Sequence, residues 1–119
     1  FTEVIGFRHH AGEWLVDAGW MALSRDRGTA SQEIDYGYGV VCDESGQRVD
    51  DIIVRATSQE HGILARRDGK AIEPGRFEVG QRLRILPNHA CATAAQHDGY
   101  WLVGEDLAAG RFWSRTHGW

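Results

Sequence analysis

The chain has 119 residues, 42% of them hydrophobic, and a formal net charge of −4. One domain is the natural reading of that length, with roughly 65% of the extended-chain surface buried, enough for one modest core. The acidic balance and scattered basic residues exclude nucleic acid and anionic membrane as expected partners.

No apolar run approaches the ~18 residues of a membrane span, and no signal peptide is visible. The two cysteines, Cys42 and Cys91, are too few for a disulfide framework. A reducing cytoplasm fits them best, each being either a core thiol or a metal thiolate. The chain opens at Phe1 within an apolar strand, so a preceding region is expected.

Fifteen glycines and two prolines point to tight turns and short strands rather than long helices. Phe1–Phe7, with β-branched and aromatic residues, reads as a strand. Trp14–Val16 is a second, ended by Asp17-Ala18-Gly19. Tyr38–Cys42 is a third, followed by the polar turn Asp43–Gln47. Ile52–Ala56 and Gly62–Ala65 are set to pair across Ser58–His61, and Asp68-Gly69-Lys70 is a tight-turn signal. Arg82–Leu86 alternates charged and apolar residues at period two, a half-buried strand stopped by Pro87. The one expected helix is alanine-rich Ala90–Gln96. Asp98-Gly99 turns into the strand Tyr100–Val103, and Arg111–Ser114 is the last strand. The expected fold is mainly β, a small antiparallel barrel or sandwich with one short helix.

The segment Leu86–Asp98, LPNHACATAAQHD, holds two good metal ligands, His89 and Cys91. On an extended backbone residues i and i+2 face the same way, with Cα atoms about 6.5 Å apart, so both side chains reach one ion. Inside an α-helix they point about 200° apart and cannot chelate. The pair must therefore precede the helix or occupy its first turn. The competing reading makes His89 a hydrogen-bonded surface residue and Cys91 a small core hydrophobe. Two protein ligands are too few for a closed structural zinc site, so a metal here would have open positions.

Four further residues are candidates for a supporting role. His97 and Asp98 lie close enough in sequence to add a ligand or orient one, and the alternative is an Asp-Gly turn with an exposed histidine. Glu60 and His61 form a candidate acid/base pair or a polar turn. Asp17 and Asp26 flank glycine-containing turns and read as backbone supports. Lys70, the only lysine, reads as a solvated turn residue.

The blocks DAGWMALSRDRG (Asp17–Gly28), YGYGVV (Tyr36–Val41), QEHG (Gln59–Gly62), VGQRLRILPNHACAT (Val79–Thr93) and HD (His97, Asp98) resemble the C-terminal domain of the D-serine dehydratase and D-threonine aldolase family. The resemblance runs through most of the chain. It implies a pyridoxal-phosphate enzyme with an alanine-racemase-like barrel followed by this β-rich domain, and a homodimer of the whole enzyme. It further implies a metal, usually zinc, at His89 and Cys91, activating the β-hydroxyl of a D-amino acid substrate for elimination. The aldolase branch tends to carry aspartate where this chain has Cys91, which points to a dehydratase. A (β/α)₈ barrel of about 250 residues cannot be contained here, and neither can its Schiff-base lysine. This chain alone is therefore expected to be inactive, contributing the metal site to a larger catalyst; a non-catalytic structural or binding module is the other class.

Overall fold

The computed structural model describes residues 1–104 and 109–117. Six strands form a closed antiparallel barrel in the order β1-β2-β5-β4-β3-β6. They are β1 Thr2–Arg8, β2 Glu13–Val16, β3 Gly39–Cys42, β4 Arg48–Thr57, β5 Gly62–Arg66 and β6 Arg82–Pro87. The expected pairing of β4 with β5 is present, Val54 opposite Leu64. Closure depends on β1 meeting β6, Thr2 opposite Leu83. Irregular register in β1, β3 and β4, each spanning two residues, bends the sheet toward closure.

Alternation in β1 and consecutive buried apolar residues in β4, Ile52, Ile53 and Val54, both feed the core. Val4, Val16, Val41, Val54, Leu64 and Leu83 are fully buried inside the barrel, with Trp14, Ile72 and Phe77 around them. Trp14 and Phe77 meet edge to face at 5.7 Å between ring centroids. Glu13 is buried, and Arg8 of β1 and Arg55 of β4, the latter two strands away, both pair with it. Asp17 ties β1 to the end of β2, accepting from the Thr2 hydroxyl at 2.6 Å and the Glu3 amide at 2.8 Å. It is the backbone support that its turn position suggested.

Three expectations need correction. The described residues hold two short helices, not one: α1 Trp20–Leu23 and α2 Ala90–Ala94. Four residues are too few for a helical period to register in sequence. α2 stops at Ala94, two residues short of the expected Gln96. Pro87 does not stop β6 but is its last residue, opposite Gly39, a strand end where a missing amide proton is tolerated.

The remaining strands, β7 Gly99–Val103 and β8 Ala109–Ser114, form a two-stranded sheet of their own. Tyr100, Trp101, Leu102, Val103, Phe112 and Trp113 are all exposed on it. None of the described helices is long and apolar enough to cross a membrane.

Candidate metal centre

The chain reaches His89 in an extended conformation, φ −124° and ψ 93°, and turns into α2 at the next residue. Cys91 therefore lies in the first turn of α2, the placement that the chelating reading requires. His89 is half-buried and Cys91 exposed. α2 buries none of its residues, so it is held by hydrogen bonds and not by a core-facing stripe.

Those bonds come from the segment between α1 and β3. The Asn88 amide group donates to the Thr29 hydroxyl and to the Gly37 carbonyl, each at 2.7 Å, and the Asn88 backbone amide donates to the Tyr38 carbonyl at 3.0 Å. Thr93 donates its hydroxyl to the Leu23 carbonyl. Asp35 organises the same segment, accepting from the Gly37 amide at 2.9 Å and pairing with Arg27. Those contacts, the Gly37 amide first, hold its carboxyl below the usual carboxylate range. α1 is anchored in turn on the β4–β5 connection, Trp20 donating to the Ser58 carbonyl at 2.9 Å. Gly19 makes this approach possible: a Cβ there would lie 2.3 Å from the Gln59 carbonyl oxygen.

This segment also brings Asp26 to His89. A carboxylate oxygen of Asp26 is hydrogen-bonded to His89 Nδ1, across 63 residues of sequence. Turn position had suggested only a backbone support for Asp26. The available signal was its membership of the same block as α1, DAGWMALSRDRG.

The four candidate supporting residues are placed elsewhere. His97 Nε2 is 2.9 Å from the Ala22 carbonyl, to which it donates, so it braces α2 against α1. Asp98 is exposed, 3.7 Å from His117 Nε2. Glu60 and His61 are exposed in the β4–β5 connection, where the His61 amide donates to the Ser58 hydroxyl at 3.3 Å. None of the four makes a described hydrogen bond to His89 or Cys91. Among the described residues no group of three or more His, Cys, Asp or Glu side chains could hold a metal ion. A cavity of about 210 Å³ opens beside the two helices, lined by Phe1, Ala22, Leu23, Ile85, Thr93 and His97 among others.

Lys70 faces Asp68 at 3.7 Å in its exposed turn, as a solvated turn residue should. Cys42 and Cys91 are both free thiols. Burial pushes the Cys42 thiol above its ordinary range, and the neighbouring Asp43 adds to the shift, whereas Cys91 is open to solvent. Brief alkylation of the native chain should therefore label Cys91 alone, and denaturant should bring the count to two. Equal native labelling of both thiols, measured by intact mass and peptide mapping, would contradict this placement.

Comparison with known proteins locates the chain. It is 52% identical over 120 residues to D-threo-3-hydroxyaspartate dehydratase of Delftia sp. (strain HT23), covering 99% of this chain and 31% of that protein. It is 38% identical over 124 residues to D-serine dehydratase of Schizosaccharomyces pombe, covering 100% of this chain and 27% of that protein. The chain thus spans under a third of the length of these relatives. The solved Delftia enzyme superposes with a TM-score of 0.90 over 99% of this chain and 31% of its own. D-threo-3-hydroxyaspartate dehydratase has also been solved as a cysteine-to-alanine variant in the metal-free form and as a histidine-to-alanine variant, each 51% identical to this chain. The replaced histidine lies two positions before the replaced cysteine, the spacing of His89 and Cys91. D-threonine aldolase from Filomicrobium marinum is 27% identical with a TM-score of 0.63, over 95% of this chain and 26% of that one. The family described as "Putative serine dehydratase domain" matches residues 1–103, and with most of its length matched the chain belongs to this serine dehydratase domain family.

Proposed function

We propose that this chain is the metal-binding C-terminal part of a pyridoxal-phosphate-dependent dehydratase that removes water from a β-hydroxy D-amino acid, D-serine or the related D-threo-3-hydroxyaspartate. The observation that carries the reading is the His89–Cys91 pair at the start of α2, with Asp26 engaging one ring nitrogen of His89 and leaving the other free.

The donor set fits a borderline-soft divalent ion such as zinc: one imidazole nitrogen and one thiolate, the ligand types zinc favours. When bound, the ion supplies Lewis-acid polarisation of the substrate hydroxyl, making hydroxide a better leaving group. His89 presents the nitrogen that Asp26 leaves free. Cys91, exposed in the first turn of α2, supplies the second donor. Two protein donors leave coordination positions for substrate and water, as in catalytic rather than structural sites. The braces from Asn88, Thr93 and His97 fix the helix that carries Cys91.

Pyridoxal phosphate does not fit this chain, because its one lysine is paired with Asp68 in a turn. We therefore place the Schiff-base lysine in a barrel domain elsewhere in the same protein, within a homodimer, and derive no step for the cofactor here. Elimination rather than retro-aldol cleavage is favoured by the thiol at Cys91 and by the weaker likeness to the D-threonine aldolase. In this reading His97 is a structural support of α1, and Glu60, His61 and Asp98 are exposed residues, none of the four a ligand.

The test uses the full-length protein with D-serine and D-threo-3-hydroxyaspartate as alternative substrates. Chelation should abolish formation of pyruvate or oxaloacetate together with ammonia, and zinc should restore it. The isolated chain should form none with zinc and pyridoxal phosphate added. Turnover that survives complete metal removal, or turnover by the isolated chain above a cofactor-only control, would overturn the reading.

A further inference from the structure

The structure assigns Asp26 a positioning role: it fixes the His89 imidazole in the tautomer that offers Nε2 to a metal ion. This inference rests on the metal-site reading above and goes beyond it in naming what prepares the ligand.

An ionised carboxylate only accepts hydrogen bonds, so the His89 nitrogen facing Asp26 must carry the proton. A neutral imidazole has one such proton. Placing it on Nδ1 leaves the Nε2 lone pair free for an ion, whereas an unconstrained histidine in water favours the opposite tautomer. Metal-bound histidines commonly have such an outer partner, and its loss weakens metal binding by about 10–100-fold.

The path that delivers Asp26 is built for placement. α1 is capped at its C-terminal end by Ser24, whose backbone adopts φ 104° and ψ 168°, a region that residues other than glycine rarely enter. Ser24 is buried, its amide donates to the Trp20 carbonyl at 2.8 Å, and its hydroxyl accepts from the Asp26 amide at 3.3 Å. The two residues before it accept from α2 and from the segment just beyond it: Leu23 from Thr93 and Ala22 from His97. The strained turn is thus held on its N-terminal side, and two residues beyond it Asp26 meets His89. Stability alone gives no reason for this arrangement. The Asp26 and His89 side chains are 52% and 41% exposed, and ion pairs so open to solvent contribute little to folding. Strain held in place to aim one carboxylate at one imidazole is what a positioning role requires.

The test compares Asp26→Ala, Asp26→Asn and His89→Ala in the full-length protein. Three quantities are read: zinc affinity by competition with a chromophoric chelator, the ¹⁵N imidazole spectrum of metal-free protein, and metal-free thermal stability. The His89 signals are assigned by their absence from His89→Ala. Asp26→Ala should weaken zinc binding about 10–100-fold and move the His89 proton toward Nε2, with the metal-free unfolding midpoint nearly unchanged. Asp26→Asn can still accept from Nδ1 through its amide oxygen, so it should keep the tautomer and lose distinctly less affinity. Unchanged zinc affinity and tautomer in Asp26→Ala, with zinc lost in His89→Ala, would overturn the role of Asp26 and leave the metal site standing. Zinc retained in His89→Ala would overturn the metal-site reading itself. Equal losses in Asp26→Asn and Asp26→Ala with the tautomer unmoved would make Asp26 a direct ligand and also overturn the positioning role. Should Asp26→Ala fail to fold, the Asn variant and its imidazole spectrum decide the matter.

Discussion

Full-length protein carrying His89→Ala or Cys91→Ala is expected to lose its zinc and a hundredfold or more of its turnover while remaining folded. The loss follows from the small donor set. With two protein ligands, removing one leaves a single side chain, and one imidazole or thiolate alone does not retain zinc against water. Forfeiting Lewis-acid help to the departing hydroxyl removes about 3 kcal/mol or more of transition-state stabilisation, which is roughly a hundredfold in rate. Persistence of the fold follows from position: α2 buries none of its residues and Cys91 is exposed. Circular dichroism and unfolding midpoints should therefore match wild type while metal content falls. Cys91→Asp separates chelation from mere perturbation, because a carboxylate still binds divalent ions but prefers harder ones such as Mn²⁺. That variant should recover part of its activity with manganese, and Cys91→Ala should not. Wild-type zinc and turnover in both Cys91 variants would move the metal elsewhere.

Gly37→Ala is expected to destabilise the domain by at least about 2 kcal/mol and to weaken metal retention in the full-length protein. Gly37 has φ +60°, a left-handed conformation costing about 1–2 kcal/mol for a residue with a Cβ. A Cβ there would also lie 2.4 Å from the Val54 carbonyl oxygen, a clash with the backbone of β4 that no rotamer relieves. Because the Gly37 carbonyl accepts from Asn88, a shift of this loop is transmitted to the residue before His89. Urea unfolding measures the first effect and zinc content the second. An unfolding free energy within about 0.5 kcal/mol of wild type, the usual span for surface changes, would show that the loop accommodates the methyl group.

Most strands were legible as short apolar, β-branched runs bounded by turn signals, and Arg82–Leu86 by its period-two alternation, which places Leu83 inside. Whether they form a barrel or a sandwich was not legible. That choice depends on Thr2 lying opposite Leu83, a pairing between the first and last strands of the barrel that no local pattern encodes. The His89–Cys91 spacing and its need for a non-helical start could be read directly, and the backbone at His89 is extended as that chemistry demands. Asp26 was not legible as a partner of His89, because its approach depends on the unusual backbone of Ser24 and on α1, too short for a periodic signal. His97 was singled out for its closeness in sequence to Cys91. On a helix that ends at Ala94, closeness in sequence did not become closeness in direction, and its ring was taken by the Ala22 carbonyl.

The barrel closes on itself, so each of its six strands has a neighbour on both sides. β7 and β8 differ: among the described residues each pairs with the other alone, and exposed aromatic side chains decorate both. An isolated two-stranded ribbon is marginal in water, and its outer edges offer unpaired backbone groups to any extended segment nearby. Aggregation of this chain on its own would accordingly nucleate on the ribbon and spare the barrel. Recombinant handling should thus be governed by Trp101, Phe112 and Trp113, residues outside the barrel core, and a lysine placed on either outer edge would act as a gatekeeper.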